Sequence, residues 1–206
     1  MPIRDTSWDI KKKRLVRYLC DPMASKLTKL FFMTSLSLSG CTGGKLPPIK
    51  LAENVDLNRY MGDWYIIAGT PNYIEKNAFN SVENYKLQED GSIATTFTFN
   101  EGEFAGPKKE YHPRGFVVEN TGNALWGMQF LWPFKAEYRI AYLDPDYNET
   151  IVARNARDYV WIMARTPKIS ASNYQQLLSR VSQMGYDTTI LREVPQGPRS
   201  NAEVTK

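Results

Sequence analysis

Cysteine and histidine are nearly absent from this chain, with two of the first and one of the second in 206 residues. A zinc site built from Cys and His, or a disulfide framework, is therefore closed to it, and no metal or cofactor motif stands in their place. The body also lacks an excess of charge of either sign. Residues 1–40 hold 8 of the 26 Lys+Arg and 3 of the 22 Asp+Glu, leaving 18 against 19, a net −1, for residues 41–206. The formal charge of +4 thus belongs to the leading segment, and the remainder offers no electrostatic case for nucleic acid. Long apolar runs are missing too. The longest, residues 30–38, falls far short of the roughly 20 residues that cross a bilayer as a helix. What is present is an ordinary folded composition, 42 % apolar and 23 % charged, at a length that suits one domain. Aromatics reach 13 %, which favours strands, stacking surfaces or an apolar cavity.

The leading segment reads as an export signal. Lys26 and Lys29 supply positive charge, residues 30–38 form a short apolar core, and small residues follow. Leu38-Ser39-Gly40-Cys41 resembles the lipobox of bacterial lipoproteins. That resemblance implies a diacylated Cys41 as the mature N-terminus, and Thr42 after it is similar to an outer-membrane sorting signal. Two or three acyl chains would hold a protein stably, because each buried methylene adds about 0.8 kcal/mol. Residues 1–22, with Lys11-Lys12-Lys13-Arg14 and Cys20, make a very long n-region. Either Met23 is the true start or a long leader is removed. Residues 41–56, with Gly43-Gly44 and Pro47-Pro48, read as a lipidated tether that holds the body off the membrane.

From Gly62 the chain alternates in short segments broken by turn signals about every ten residues. Strands are expected over 62–70, 79–88, 92–100, 110–119, 124–132, 136–143, 149–155 and 158–165, with Glu89-Asp90-Gly91 and Asp144-Pro145-Asp146 among the tight connections. Eight strands joined mostly by hairpins suggest an all-β, antiparallel up-and-down meander, closed into a barrel to remove its edges. Over 170–184 the period changes. Tyr174, Leu177, Leu178, Val181 and Met184 form one apolar stripe of a helix that packs on the barrel wall, and Gly185 stops it. A short strand over 188–192 follows, then a polar tail over 193–206.

Three motifs in order resemble the lipocalin family. Tyr60-Met61-Gly62-Asp63-Trp64-Tyr65 is similar to its Gly-x-Trp signature, residues 142–147 match its second signature loosely, and Arg165 in Ala164-Arg165-Thr166-Pro167 matches its third. Trp132-Pro133-Phe134 and Arg157-Asp158-Tyr159 look similar to bacterial outer-membrane lipocalins, relatives of apolipoprotein D. The resemblance covers 57–192 and implies an eight-stranded barrel with one external C-terminal helix. It also implies an Arg165 guanidinium stacked over Trp64, a contact worth roughly 0.5–2 kcal/mol.

Strand parity then sorts side chains by face. With Trp64 inward, Ile66 and Ala68 follow; with Arg165 at the base, Met163, Trp161 and Tyr159 climb the same wall. Trp126, Met128, Phe130 and Trp132 share the more apolar face of their strand, as do Ile93, Thr95, Phe97 and Phe99 of theirs. Apolar inside and polar outside suits a barrel in water and not one spanning a membrane. Tyr138, Tyr159 and Lys135 are expected near the mouth. Parity also turns Glu83 inward, where a lone carboxylate would be neutral, paired or hydrated. Arg114, Arg139 and Arg154 are candidate partners, and the Glu83 couple would fix a ligand headgroup; the alternative is a slipped register with Glu83 outside. His112, next to Pro113, has no identifiable acidic or nucleophilic partner, so no catalytic residue is assigned.

Together with the resemblance, these features imply an outer-membrane, periplasm-facing lipid-anchored binder of small lipids such as a fatty acid or lysophospholipid. It would store or move them during envelope maintenance or stress, without enzymatic activity, and a homodimer is left open. The alternatives are a lipid-modifying enzyme using Glu83 as acid or base, and a structural lipoprotein with a filled core.

Overall fold

The computed structural model describes residues 46–197. The leader, Cys20, the lipobox with Cys41, and the end of the polar tail lie outside the described residues. Strands β1 (Gly62–Gly69), β2 (Ala78–Leu87), β3 (Ile93–Glu101), β4 (Lys108–Tyr111), β5 (Arg114–Val117), β6 (Leu125–Leu131), β7 (Phe134–Leu143), β8 (Glu149–Ala153) and β9 (Val160–Ala164) form one antiparallel sheet. β9 pairs back onto β1 and closes the barrel. β4 and β5 are a single barrel strand interrupted at His112-Pro113, because proline has no N–H to give the ladder. Counted this way, the barrel has eight strands in sequence order.

Turn chemistry fixes the hairpins. Gly91 takes φ +77 while Asp90 accepts from the Ser92 amide at 3.0 Å. At the β7–β8 turn the Asp144 carboxylate accepts from the amides of Asn148 and Glu149 at 2.5 and 2.6 Å.

One-turn helix α1 (Leu57–Tyr60) leads into the barrel. Its N-cap Asp56 accepts from the amides of Asn58 and Arg59. Gly62 follows at φ +92, a conformation that any side chain would strain, and starts β1 beneath the Arg165 guanidinium. Helix α2 (Ala171–Gln183) lies on the outside of the barrel, capped by Ser170. Its Leu177 and Val181 pack with Ala68, Ile151, Ala153, Val160 and Ile162, with Tyr174, Leu178 and Met184 at the edge of that cluster.

Four expectations are corrected. Ala68 belongs to the helix-facing cluster and not the lumen, because a bulge between Ile66 and Ala68 inserts one residue and reverses the parity of β1. Trp132 stands 81 % exposed at the β6–β7 hairpin, after a register shift past Met128. Residues 188–192 form a 3-10 turn (Thr188–Ile190), capped by Asp187, and strand β10 is only Arg192–Glu193, paired with β1. From Ile49 onward the expected tether is packed on the barrel. The Ile49 amide donates to Asn155 Oδ1 at 2.9 Å, its carbonyl accepts from Arg139 at 2.9 Å, and Val55 is buried. The tail likewise runs along β2, where Gln196 donates to the carbonyls of Ile66 and Ser81.

Candidate functional site

The barrel is solid at one end and hollow towards the other. At the closed end Trp64 is fully buried, and its indole nitrogen donates to the Tyr60 carbonyl at 2.8 Å. The Arg165 guanidinium carbon lies 3.9 Å from the centre of the Trp64 ring. Its nitrogens donate to the carbonyls of Arg59 (2.7 Å), Asp63 (2.8 Å) and Tyr147 (3.3 Å), tying α1, β1 and the β7–β8 turn together. The stacked cation and these charge-assisted bonds seal the base.

Above this seal aromatic rings fill the lumen. Trp126 stacks on Tyr138 with centroids 4.9 Å apart and planes 9° from parallel, and Tyr60 and Tyr85 meet Trp126 edge-on. The three phenol groups form a chain. Tyr60 and Tyr138 oxygens are 3.2 Å apart, those of Tyr138 and Tyr85 are 2.6 Å apart, and Tyr85 donates to the Glu83 carboxylate. Burial in this stack raises the phenol pKa values of Tyr60 and Tyr138, so these two hydroxyls keep their protons to donate.

A cavity of about 300 Å³ lies above the rings. Glu83, Phe97, Met128, Phe130, Tyr159, Trp161 and Met163, all expected on the inner face, line it. So does Tyr138, which lies in the aromatic stack at the floor and not near the mouth as expected. Ile66 and Trp126 sit in the packed interior and do not line it, and Ala68 is outside the barrel. Glu83 therefore faces the lumen, but none of the expected arginines reaches it. Arg114 pairs with Asp90 (3.1 Å), Arg139 with Glu137 (2.7 Å) and Arg154 with Asp158 (3.1 Å). Lys135 is also elsewhere, 3.7 Å over the Phe116 ring.

Sequence reasoning missed the β1–β2 loop. Asn72 Oδ1 accepts from the amides of Ile74 and Glu75 at 2.8 and 2.9 Å, and this turn brings the loop to the cavity. There Glu75 accepts from the Trp161 indole at 2.9 Å. An Asn two residues before an apolar-acidic pair was the only available signal. Both cavity carboxyls are perturbed by burial. Glu83 is pushed up to about 8, by desolvation first and by the nearby Glu75 charge second. Desolvation raises Glu75 as well, against hydrogen bonds from Trp161 and Asn72 that lower it. Among the described residues no group of three His, Cys, Asp or Glu could hold a metal ion.

Residues 55–196 match the family model of the lipocalin-like domain. The chain belongs to the lipocalin family. It is 28 % identical over 172 residues to temperature-induced lipocalin-1 of Arabidopsis thaliana, covering 74 % of this chain and 87 % of that one. It is 28 % identical over 180 residues to the outer membrane lipoprotein Blc of Escherichia coli strain K12, covering 82 % and 92 %. In structure this lipocalin superposes on insecticyanin of Manduca sexta with a TM-score of 0.57 at 16 % identity, over 77 % of this chain and 88 % of that one. It superposes on lobster apocrustacyanin A1 with a TM-score of 0.55 at 17 % identity, over 73 % and 91 %. Those two likenesses bear on the fold. In this lipocalin the base signatures Gly62, Trp64 and Arg165 are scaffold parts, and the chemistry lies in the cavity above them.

Proposed function

We propose that this lipocalin binds a small apolar or amphipathic molecule in the barrel and stores or carries it from a membrane anchor at Cys41. The observation that carries the reading is the cavity of about 300 Å³, closed below by Trp64 and Arg165 and walled by Phe97, Met128, Trp161 and Met163. Such a volume lies at the lower end of the range for small-molecule sites. At about 30 Å³ per water-sized group it holds about ten of them. A fatty acid or lysophospholipid tail of fourteen carbons would therefore extend past the rim. Each enclosed methylene gains about 0.8 kcal/mol, before the costs of ordering the chain.

The lipobox at Cys41 and the similarity to an outer membrane lipoprotein support a periplasm-facing position on the outer membrane. An anchor there raises the local concentration of the cavity beside its lipid source without adding contacts. Binding for envelope maintenance, without turnover, is the role this arrangement suits. The decisive experiment is native mass spectrometry of the protein extracted from its own membrane, with fluorescence titration by the neutral apolar dye N-phenyl-1-naphthylamine. A co-purifying lipid of unchanged mass and saturable dye binding support the reading. A chain that takes up neither overturns it.

A further inference from the structure

Resting on that reading, we propose that the preferred cargo carries a cation: an amine on an apolar body of about ten heavy atoms, seated head-first against Glu83 and Glu75. Of the three carboxyl groups that line the cavity, Glu83 and Glu75 have no ion-pair partner among the described residues, since Arg139 takes Glu137 and the Arg154 guanidinium pairs with Asp158. Glu83 projects from the middle of β2 onto the aromatic floor, with the Tyr85 hydroxyl on one oxygen. Glu75 reaches in from the loop above, held by Trp161. Of the other charged groups of the lining, Glu137 pairs with Arg139, and Arg154 pairs with Asp158 through one terminal nitrogen while its Nε stays buried without a partner among the described residues.

Three classes of headgroup can be compared on these contacts. A carboxylate pushed to the floor could accept from a protonated Glu83, but it would hold that acid in its neutral form and meet the like charge of Glu75 above it. An alkyl tail laid over Glu83 would strip water from its free oxygen and return no hydrogen bond, a cost on the order of 1–3 kcal/mol. An ammonium donates to that oxygen, gains attraction from both carboxylates, and sits among the rings of Tyr138, Phe97 and Trp161. The apolar body then lies along Met128 and Met163 towards Phe130 and Tyr159 at the rim.

The proton balance makes the proposal measurable. Glu83 is held protonated near neutral pH in the empty cavity, since burial and Glu75 push it up to about 8. The groups facing it are the phenols of Tyr85 and Tyr138, the Glu75 carboxyl and, further out, Arg154. When an ammonium arrives, the O–H bond of Glu83 breaks, its proton leaves to solvent, and the carboxylate pairs with the cation. Affinity for an amine therefore rises with pH up to about 8, approaching tenfold per pH unit while Glu83 starts protonated, and then levels off.

The test displaces N-phenyl-1-naphthylamine from the full 206-residue chain, carrying Cys41→Ser so that no acyl group is attached, with decylamine, decanol and decanoate. At pH 7.5 decylamine should bind at least tenfold more tightly than either of the others. Its advantage over decanol should grow between pH 6 and 8, and calorimetry in two buffers at pH 6.5 should show close to one proton released. In Glu83→Gln the ratio of amine to alcohol affinity should fall tenfold or more. If decanol displaces the dye as well as decylamine does, or the amine advantage survives Glu83→Gln, the cation preference is wrong while a general apolar binder stands. If the dye does not bind and none of the three is taken up, the binding reading fails and this inference fails with it.

Discussion

The indole nitrogen of Trp161 on β9 donates to the Glu75 carboxyl at 2.9 Å, pinning the β1–β2 loop to the strand that pairs with β1 in the cavity wall. That bond fixes where the loop sits against the cavity. Trp161→Phe keeps an aromatic wall but removes the donor. A hydrogen bond of about 1 kcal/mol is lost, about fivefold in the balance between closed and open loop. Release of N-phenyl-1-naphthylamine, followed by stopped-flow fluorescence, should become several-fold faster.

Arg165→Met should destabilise the fold by about 2–4 kcal/mol in urea unfolding, since it loses the stacking on Trp64 and three carbonyl contacts. Arg165→Lys keeps the charge but not the planar fork, and should recover less than half of that loss.

The pH dependence of stability carries a sign that an acid rarely shows. Glu83 has its folded pKa at about 8, above the ordinary value of 4.5, so between those two values the folded state holds the proton more tightly than the unfolded one. Its contribution is fully present below 4.5, declines as pH rises, and is gone above about 8. At about 1.4 kcal/mol for each tenfold change in a protonation equilibrium, the decline amounts to a few kcal/mol. Unfolding midpoints of the empty protein should fall from pH 5 to pH 8.5, and Glu83→Gln should flatten that fall.

Two leucines should respond in opposite ways to alanine. Leu177 on α2 is 2 % exposed among Ala68, Ile151 and Val181, and Leu177→Ala should cost about 2–5 kcal/mol. Leu131 at the β6–β7 hairpin is 71 % exposed, and Leu131→Ala should stay within about 0.5 kcal/mol of the parent. Chemical denaturation of both variants checks the pair.

The strands were legible because alternation and turn chemistry agree. Asp90-Gly91 and Asp144 mark hairpins where the structure has them, and Trp64, Met163 and Phe97 give the inner face of their strands. Glu83 could be placed in the lumen because the irregularity of β2 lies before it, between Phe79 and Val82, and parity holds from there on. Parity misled at Ala68 and Trp132 because one extra residue reverses every side chain beyond it, and composition does not announce a bulge. The contribution of Glu75 was hidden for a different reason. Loops have no period, and only the folded position of Trp161 gives that carboxyl its place. The partner of Glu83 also escaped, since charge matching pointed to arginines whereas the neighbouring Tyr85 hydroxyl, two residues on, meets it instead.

The aromatic floor has a consequence for traffic. With Tyr60, Trp64 and Trp126 sealing the far side, the barrel is a cup and not a conduit, so loading and unloading share one door. Under the proposed carrier role, a donor and a recipient would visit the same rim in turn, and delivery would wait until the supplier had moved away.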